Sequence, residues 1–81
     1  GIAFLTELKV SGIDDLGVMN KITTIISGEL KLNMRSINID STDGIFEGVI
    51  NVFVNDTDQL DKLIARLKGL DGILSVSRME S

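Results

Sequence analysis

The 81-residue chain has no cysteine, no histidine, no tryptophan and no tyrosine. Without cysteine there can be no disulfide, and without cysteine and histidine the commonest soft-metal ligands are missing too. Aromatic residues are limited to three Phe, and the net charge is −4. A surface that neutralises nucleic-acid phosphates needs the opposite sign, so direct nucleic-acid binding is not expected. No apolar run approaches the roughly 20 residues that span a bilayer, so no membrane contact is expected. No basic segment followed by an apolar signal stretch is present either, and the expected location is cytoplasmic.

What is there is ordinary globular material, 43% hydrophobic and 25% charged. A domain this small buries only roughly 60% of its unfolded surface and usually needs a staple. With disulfides and soft metals excluded, a partner chain or docking within a larger protein is left. The chain opens "GIAFLTELKV", straight into a strand-like pattern without an initiator Met. The expectation is a single domain, residues 1–81, cut from a longer protein.

Two periodicities organise the chain. Residues 3–11 alternate, Phe4, Leu8 and Val10 against Glu7 and Lys9, as in a half-buried strand. From Leu16 the spacing becomes helical, through Met19, Ile22, Thr23, Ile26 and Leu30, with Gly28 expected to close the helix. Residues 33–41 alternate again, Ile37 and Ile39 against Ser36, Asn38 and Asp40. Asp43-Gly44 is a hairpin signal before a return strand over residues 45–54. That strand has Phe46, Ile50, Val52 and Val54 on one face and Ile45, Val49 and Phe53 on the other, as a central strand should. Leu60, Leu63, Ile64 and Leu67 mark a second helix, with a capping box at Asp56 and Gln59 and an i, i+4 pair at Asp58 and Lys62. Asp71-Gly72 then turns into a last strand carrying Leu74 and Val76. The order strand–helix–strand–strand–helix–strand predicts an α+β, ferredoxin-like βαββαβ sandwich: a four-stranded antiparallel sheet with two helices on one face.

The stretch "VSGIDDLGVMNKI" holds two adjacent carboxylates, Asp14 and Asp15, ahead of Gly17. A catalytic pair needs environments that split its pKa values, and usually a nucleophile or a metal. Neither is supplied here. Asp15 stands one residue before the helical stripe and can cap the free N–H groups of the first turn. Gly17 is costly in a first turn and lets a backbone or a ligand come close to the helix N-terminus. Asp14, Asp15, Asp40 and Asp43 lack calcium-loop spacing, so no metal and no cofactor are expected. Copper carriers of this shape need a Cys-x-x-Cys in the first loop, and this loop has no cysteine. RNA-recognition domains need aromatics on the middle strands together with a basic face, and three Phe with a net charge of −4 argue against that role. Leu5, Val49 and Phe53 should lie on the sheet face that the helices leave open, an interface candidate. The strand bearing Asn33 and Arg35 offers an edge for pairing with a second copy.

"GIDDLGVMNKITTIIS" resembles the signature of the ACT domain, an Asp-x-x-Gly opening a helix of the form L-x-x-I-x-x-x-I. The matching residues are Asp14, Gly17, Met19, Ile22 and Ile26. More narrowly, the chain resembles the C-terminal ACT domain of RelA/SpoT-type guanosine tetraphosphate synthetase/hydrolases, the GTP pyrophosphokinases of the stringent response. The shared positions are Val10, Gly12, Asp14, Gly17 and Val18, then Ile22, Thr23 and Ser27, then Leu70, Gly72, Val76 and Arg78. The resemblance implies a regulatory module rather than a catalyst, with no catalytic residue in this chain and the pyrophosphate transfer done elsewhere in a parent enzyme. It implies a homodimer, and an amino-acid ligand held at the interface by the first loop: Ile13, Asp14, Asp15, Gly17 and Val18. Asn33 of the partner subunit would supply the polar residue across the interface. Docking to the ribosome is implied by the same resemblance. The loop departs from the family at Asp15, where the synthetases usually show Arg, and at Leu16, where many ACT domains show Pro. Two other roles stay open: the regulatory domain of an amino-acid biosynthetic enzyme, and a purely structural dimerisation module.

Overall fold

Alternation of Leu8 and Val10 with Glu7 and Lys9 is realised in strand β1, Phe4–Ile13, in a computed structural model that describes residues 2–79. Helix α1 follows at Leu16–Thr23, then a π-helical segment at Thr24–Glu29. Strand β2 is Asn33–Thr42, β3 is Ile45–Val54, α2 is Thr57–Lys68 and β4 is Ile73–Met79. The strands form one antiparallel sheet in the order β2-β3-β1-β4. This is the expected ferredoxin-like architecture, with β3 and β1 central and β2 and β4 at the edges.

One face of the sheet builds the core. Leu8, Val10, Phe46, Ile50, Val52 and Val54 are buried there beneath Ile22 and Ile26 and beneath Leu60, Leu63 and Leu67 of α2. The β2–β3 hairpin is a two-residue loop in which Asp43 and Gly44 both take positive φ, 54° and 80°. That left-handed pair matches the twist of the strands it joins. At the start of α2, the Asp56 carboxylate accepts from the Gln59 N–H at 2.7 Å, and the Gln59 side chain accepts from the Asn55 N–H at 2.7 Å. The capping box is therefore formed, with its return bond one residue ahead of the cap.

Four local expectations are corrected. The buried stripe of the first helix is Val18, Ile22, Ile25 and Ile26, while Leu16 is 76% exposed. Asp15 caps the helix that starts at Leu16, and the first buried side chain is Val18, whose Cγ2 would stand 2.7 Å from a Cβ on Gly72. Gly28 does not close the helix. The hydrogen bonding widens, with the Leu30 N–H donating to the Ile25 carbonyl at 2.9 Å, and Lys31 takes the left-handed turn at φ 54°. Leu74 is 61% exposed and does not join Val76 in the core. A register shift falls there: Ser11 pairs with Ser75 but Gly12 with Ile73, so Leu74 is the extra residue of a bulge. Among the described residues the ion pair that forms is not Asp58–Lys62 but Arg66–Glu29, at 2.7 Å, linking α2 to the π segment.

Candidate functional site: the β1–α1 mouth and the start of β2

Three loops meet at the C-terminal end of β1. The Ile13 N–H donates to the Gly72 carbonyl at 2.7 Å, and the Asp14 N–H donates to the Gly44 carbonyl at 2.8 Å. The β1–α1 loop is thereby tied to both the β2–β3 hairpin and the α2–β4 turn. This close approach needs glycine at position 12. A Cβ there would stand 2.5 Å from the Gly72 carbonyl oxygen and 2.7 Å from the Phe46 ring.

Asp14 and Asp15 are exposed and do different things. Asp15 is the helix cap in extended geometry, φ −141° and ψ 132°, and its Oδ1 accepts from the Gly17 N–H at 2.8 Å. Its backbone carbonyl accepts from Val18 and Met19 at 3.0 and 3.3 Å. The Gly17 donor that would attract a ligand carboxylate is thus occupied by a carboxylate of the chain itself. A Cβ on Gly17 would meet nothing closer than that Asp15 oxygen, at 3.4 Å, so packing within the chain does not require glycine here. Val18 is buried over Gly72, leaving only its backbone at the mouth.

The two turns that accept these hydrogen bonds carry Asp43 beside Gly44 and Asp71 beside Gly72, and sequence spacing alone does not connect the Asp71-Gly72 turn to the β1–α1 loop. Among the described residues no group of three or more His, Cys, Asp or Glu is placed to hold a metal ion.

Asn33 lies at the far end of the same sheet. It pairs with Phe53, which pairs with Leu5, whereas Ile13 pairs with Ile45, which pairs with Thr42. The two rows are eight residues apart along β1, about 26 Å at a strand rise near 3.3 Å per residue. One chain therefore does not bring Asn33 to the β1–α1 loop. Asn33 lines a separate cavity of about 320 Å³ with Lys31, Asn55, Gln59 and Phe53. Lys31 was not singled out by the sequence, because nothing in a lysine announces the left-handed turn that aims the chain there. Leu5, Val49 and Phe53 all fall on the open face, with Leu5 and Phe53 side by side. Arg35 is exposed on edge strand β2 at a second register shift, between Met34 and Ser36.

A family model described as the ACT domain matches residues 2–78. The crystal structure of the ACT domain from GTP pyrophosphokinase of Chlorobium tepidum is similar at 35% identity and TM-score 0.85, over 96% of this chain and 100% of that one. The solution structure of that domain agrees at 34% identity and TM-score 0.83, over 98% and 89%. The acetolactate synthase small subunit from Thermotoga maritima, 19% identical over 95% of this chain and 48% of that one with TM-score 0.79, shares the fold. No curated protein matches.

Proposed function

This chain belongs to the ACT domain family, and from that membership we propose that it is the regulatory domain of a GTP pyrophosphokinase of the stringent response, a piece of a larger synthetase/hydrolase. The observation that carries the reading is the full-length likeness, at 35% identity, to the ACT domain of one such enzyme. No part of the chain is catalytic in this reading. Pyrophosphate transfer from ATP to GTP or GDP belongs to other domains, in the cytoplasm, and this module reports state to them.

Association with a second copy is the first means of doing so. The sheet has one uncovered face with Leu5, Val49 and Phe53 on it, and β2 is a ten-residue edge strand. Such surfaces invite a second chain or another part of the parent. Amino-acid sensing is the second means, and Gly17 favours it. Its glycine has no use within the chain, and displacing the Asp15 carboxylate would free its N–H for a ligand. The carboxylates of Asp14 and Asp15 suit a ligand ammonium, whereas the ligand's own carboxylate would have to find Asn33 of the partner subunit or another donor. Ribosome docking rests on the family resemblance alone.

A domain exchange tests the regulatory assignment. Replacing the ACT domain of the Chlorobium tepidum enzyme by this chain should preserve control of its pyrophosphate transfer. Behaviour equal to outright deletion of the domain would overturn the assignment. Titration with the twenty amino acids, followed at the Gly17 and Asn33 amides by NMR, tests sensing. Silence across all twenty would leave association as the surviving role.

A further inference from the structure

We infer that the crevice between α1, with its π extension, and α2 is a binding site for a small apolar monocarboxylate. The tail would lie on Ile25 and Leu70, and the carboxylate between Lys21 and Arg66. The site shares no residue with the β1–α1 mouth, and it does not rest on the regulatory assignment above.

The crevice exists because the helices do not close on each other along their length. α2 packs against the π segment more than against α1. What is left between them is a cavity of about 270 Å³. Its floor is Ile25, which is buried, and Leu70, which is half-buried, and Asn20 and Thr24 wall it on the α1 side. Lys21 stands four residues before Ile25, and Arg66 four before Leu70. Each side of the crevice therefore sets a cation about one turn from an apolar floor residue.

Charge and size then select the ligand. Glu29 takes the Nε and Nη2 donors of Arg66, at 2.7 and 2.8 Å, and Nη1 has no acceptor among the described residues. Lys21 makes no ion pair among those residues. Glu29 cancels the charge of Arg66, so Lys21 leaves the crevice with one net positive charge, the match for a monoanion. On the far side of Glu29 a second cavity is lined by Asp56 and Asp58 as well, with Lys62 its one cation, and it would repel the same anion. Pockets for drug-sized ligands begin near about 300 Å³, so this crevice suits a smaller molecule and is too small for a helix or a strand. A free amino acid fits worse than a simple acid. Its ammonium would stand beside Lys21, while the one nearby carboxylate, Glu29, is already held by Arg66.

Methyl NMR of the chain titrated with hexanoate tests the site. Saturable shifts are expected at Ile25 and Leu70, with a dissociation constant on the order of a millimolar for so few atoms. Butanoate should bind more weakly by about fourfold per methylene removed, the value of a buried CH₂. Hexanol and norleucine, which match the tail but not the lone negative charge, should each bind more weakly than hexanoate. Lys21→Ala should weaken hexanoate by up to about fivefold, the range of an exposed charge pair, and leave hexanol as it was. Thr24→Leu fills the crevice and should abolish binding of both. Circular dichroism of the two variants should match the parent, since both positions are exposed. Hexanoate without saturable shifts at Ile25 and Leu70, or with shifts confined to the Gly17 mouth, would overturn the site. Hexanol or norleucine binding as tightly as hexanoate, or hexanoate binding unchanged in Lys21→Ala, would overturn the monocarboxylate assignment. None of these outcomes bears on the domain exchange, which tests the regulatory assignment separately.

Discussion

Three residues around one turn show how differently the same side-chain type can act. Gly12 and Gly17 are both glycines of the β1–α1 region, and only the first is needed by the fold. Gly12→Ala would press a methyl group into the Gly72 carbonyl and the Phe46 ring. It should cost about 1–3 kcal/mol in urea denaturation, the range for overpacking. Gly17→Ala meets open space apart from the Asp15 oxygen and should raise stability by up to about 1 kcal/mol, because alanine is the better helix former. If the same variant lost a partner or ligand, the glycine would be assigned to binding. Asp15→Ala removes the bond to the Gly17 N–H and should cost about 1 kcal/mol, also read from urea denaturation. Capping by Asp15 was legible in the sequence, from its place one residue before the stripe. That the cap also blocks the donor a ligand would want was not, because it depends on the 2.8 Å geometry of one carboxylate.

At the scale of elements, periodicity located every strand and both helices, but not their irregularities. The π segment keeps Ile25 and Ile26 both buried, and the Thr23 hydroxyl donates back to the Asn20 carbonyl at 3.0 Å just before the hydrogen bonding widens. The segment is tied to α2 by the forked contact of Arg66 with Glu29, 2.7 and 2.8 Å. Hydrogen bonds from Arg66, with its positive charge, hold the Glu29 carboxyl below its ordinary value of 4.5. A carboxyl whose folded pKa is depressed contributes stability above the unfolded value and loses it as pH falls through the folded one. The stability gap between the parent and Glu29→Gln should therefore be present at neutral pH and shrink once pH drops below about 4.5. A gap independent of pH would mean that packing, not charge, makes the link. Both partners are solvent-exposed, so the effect should be small and weakened by salt.

At the scale of the whole molecule, burial sets the terms. A chain of this size has one layer of helices to cover one face of its sheet, and the other face and both edges are left to something else. If association covers them, thermal stability must depend on concentration by mass action. A hundredfold rise in protein concentration should stabilise each chain by on the order of 1 kcal/mol, seen as a higher melting temperature by scanning calorimetry. A melting temperature independent of concentration would place the covering surface elsewhere in the parent protein.

The sequence by itself determined the order of elements, the hairpin at Asp43-Gly44, the cap at Asp15, the open-face residues Leu5, Val49 and Phe53, and membership of the family. All of these follow from local spacing or local motif, which the chain carries without reference to anything distant. Only the tertiary structure decided that Leu16 and Leu74 face solvent, that the Asp71-Gly72 turn is hydrogen-bonded to the β1–α1 loop, and that Asn33 lies at the opposite end of its own sheet. Each of those depends on where strands register against one another, and register is set by bulges and close glycine contacts between segments far apart in the chain.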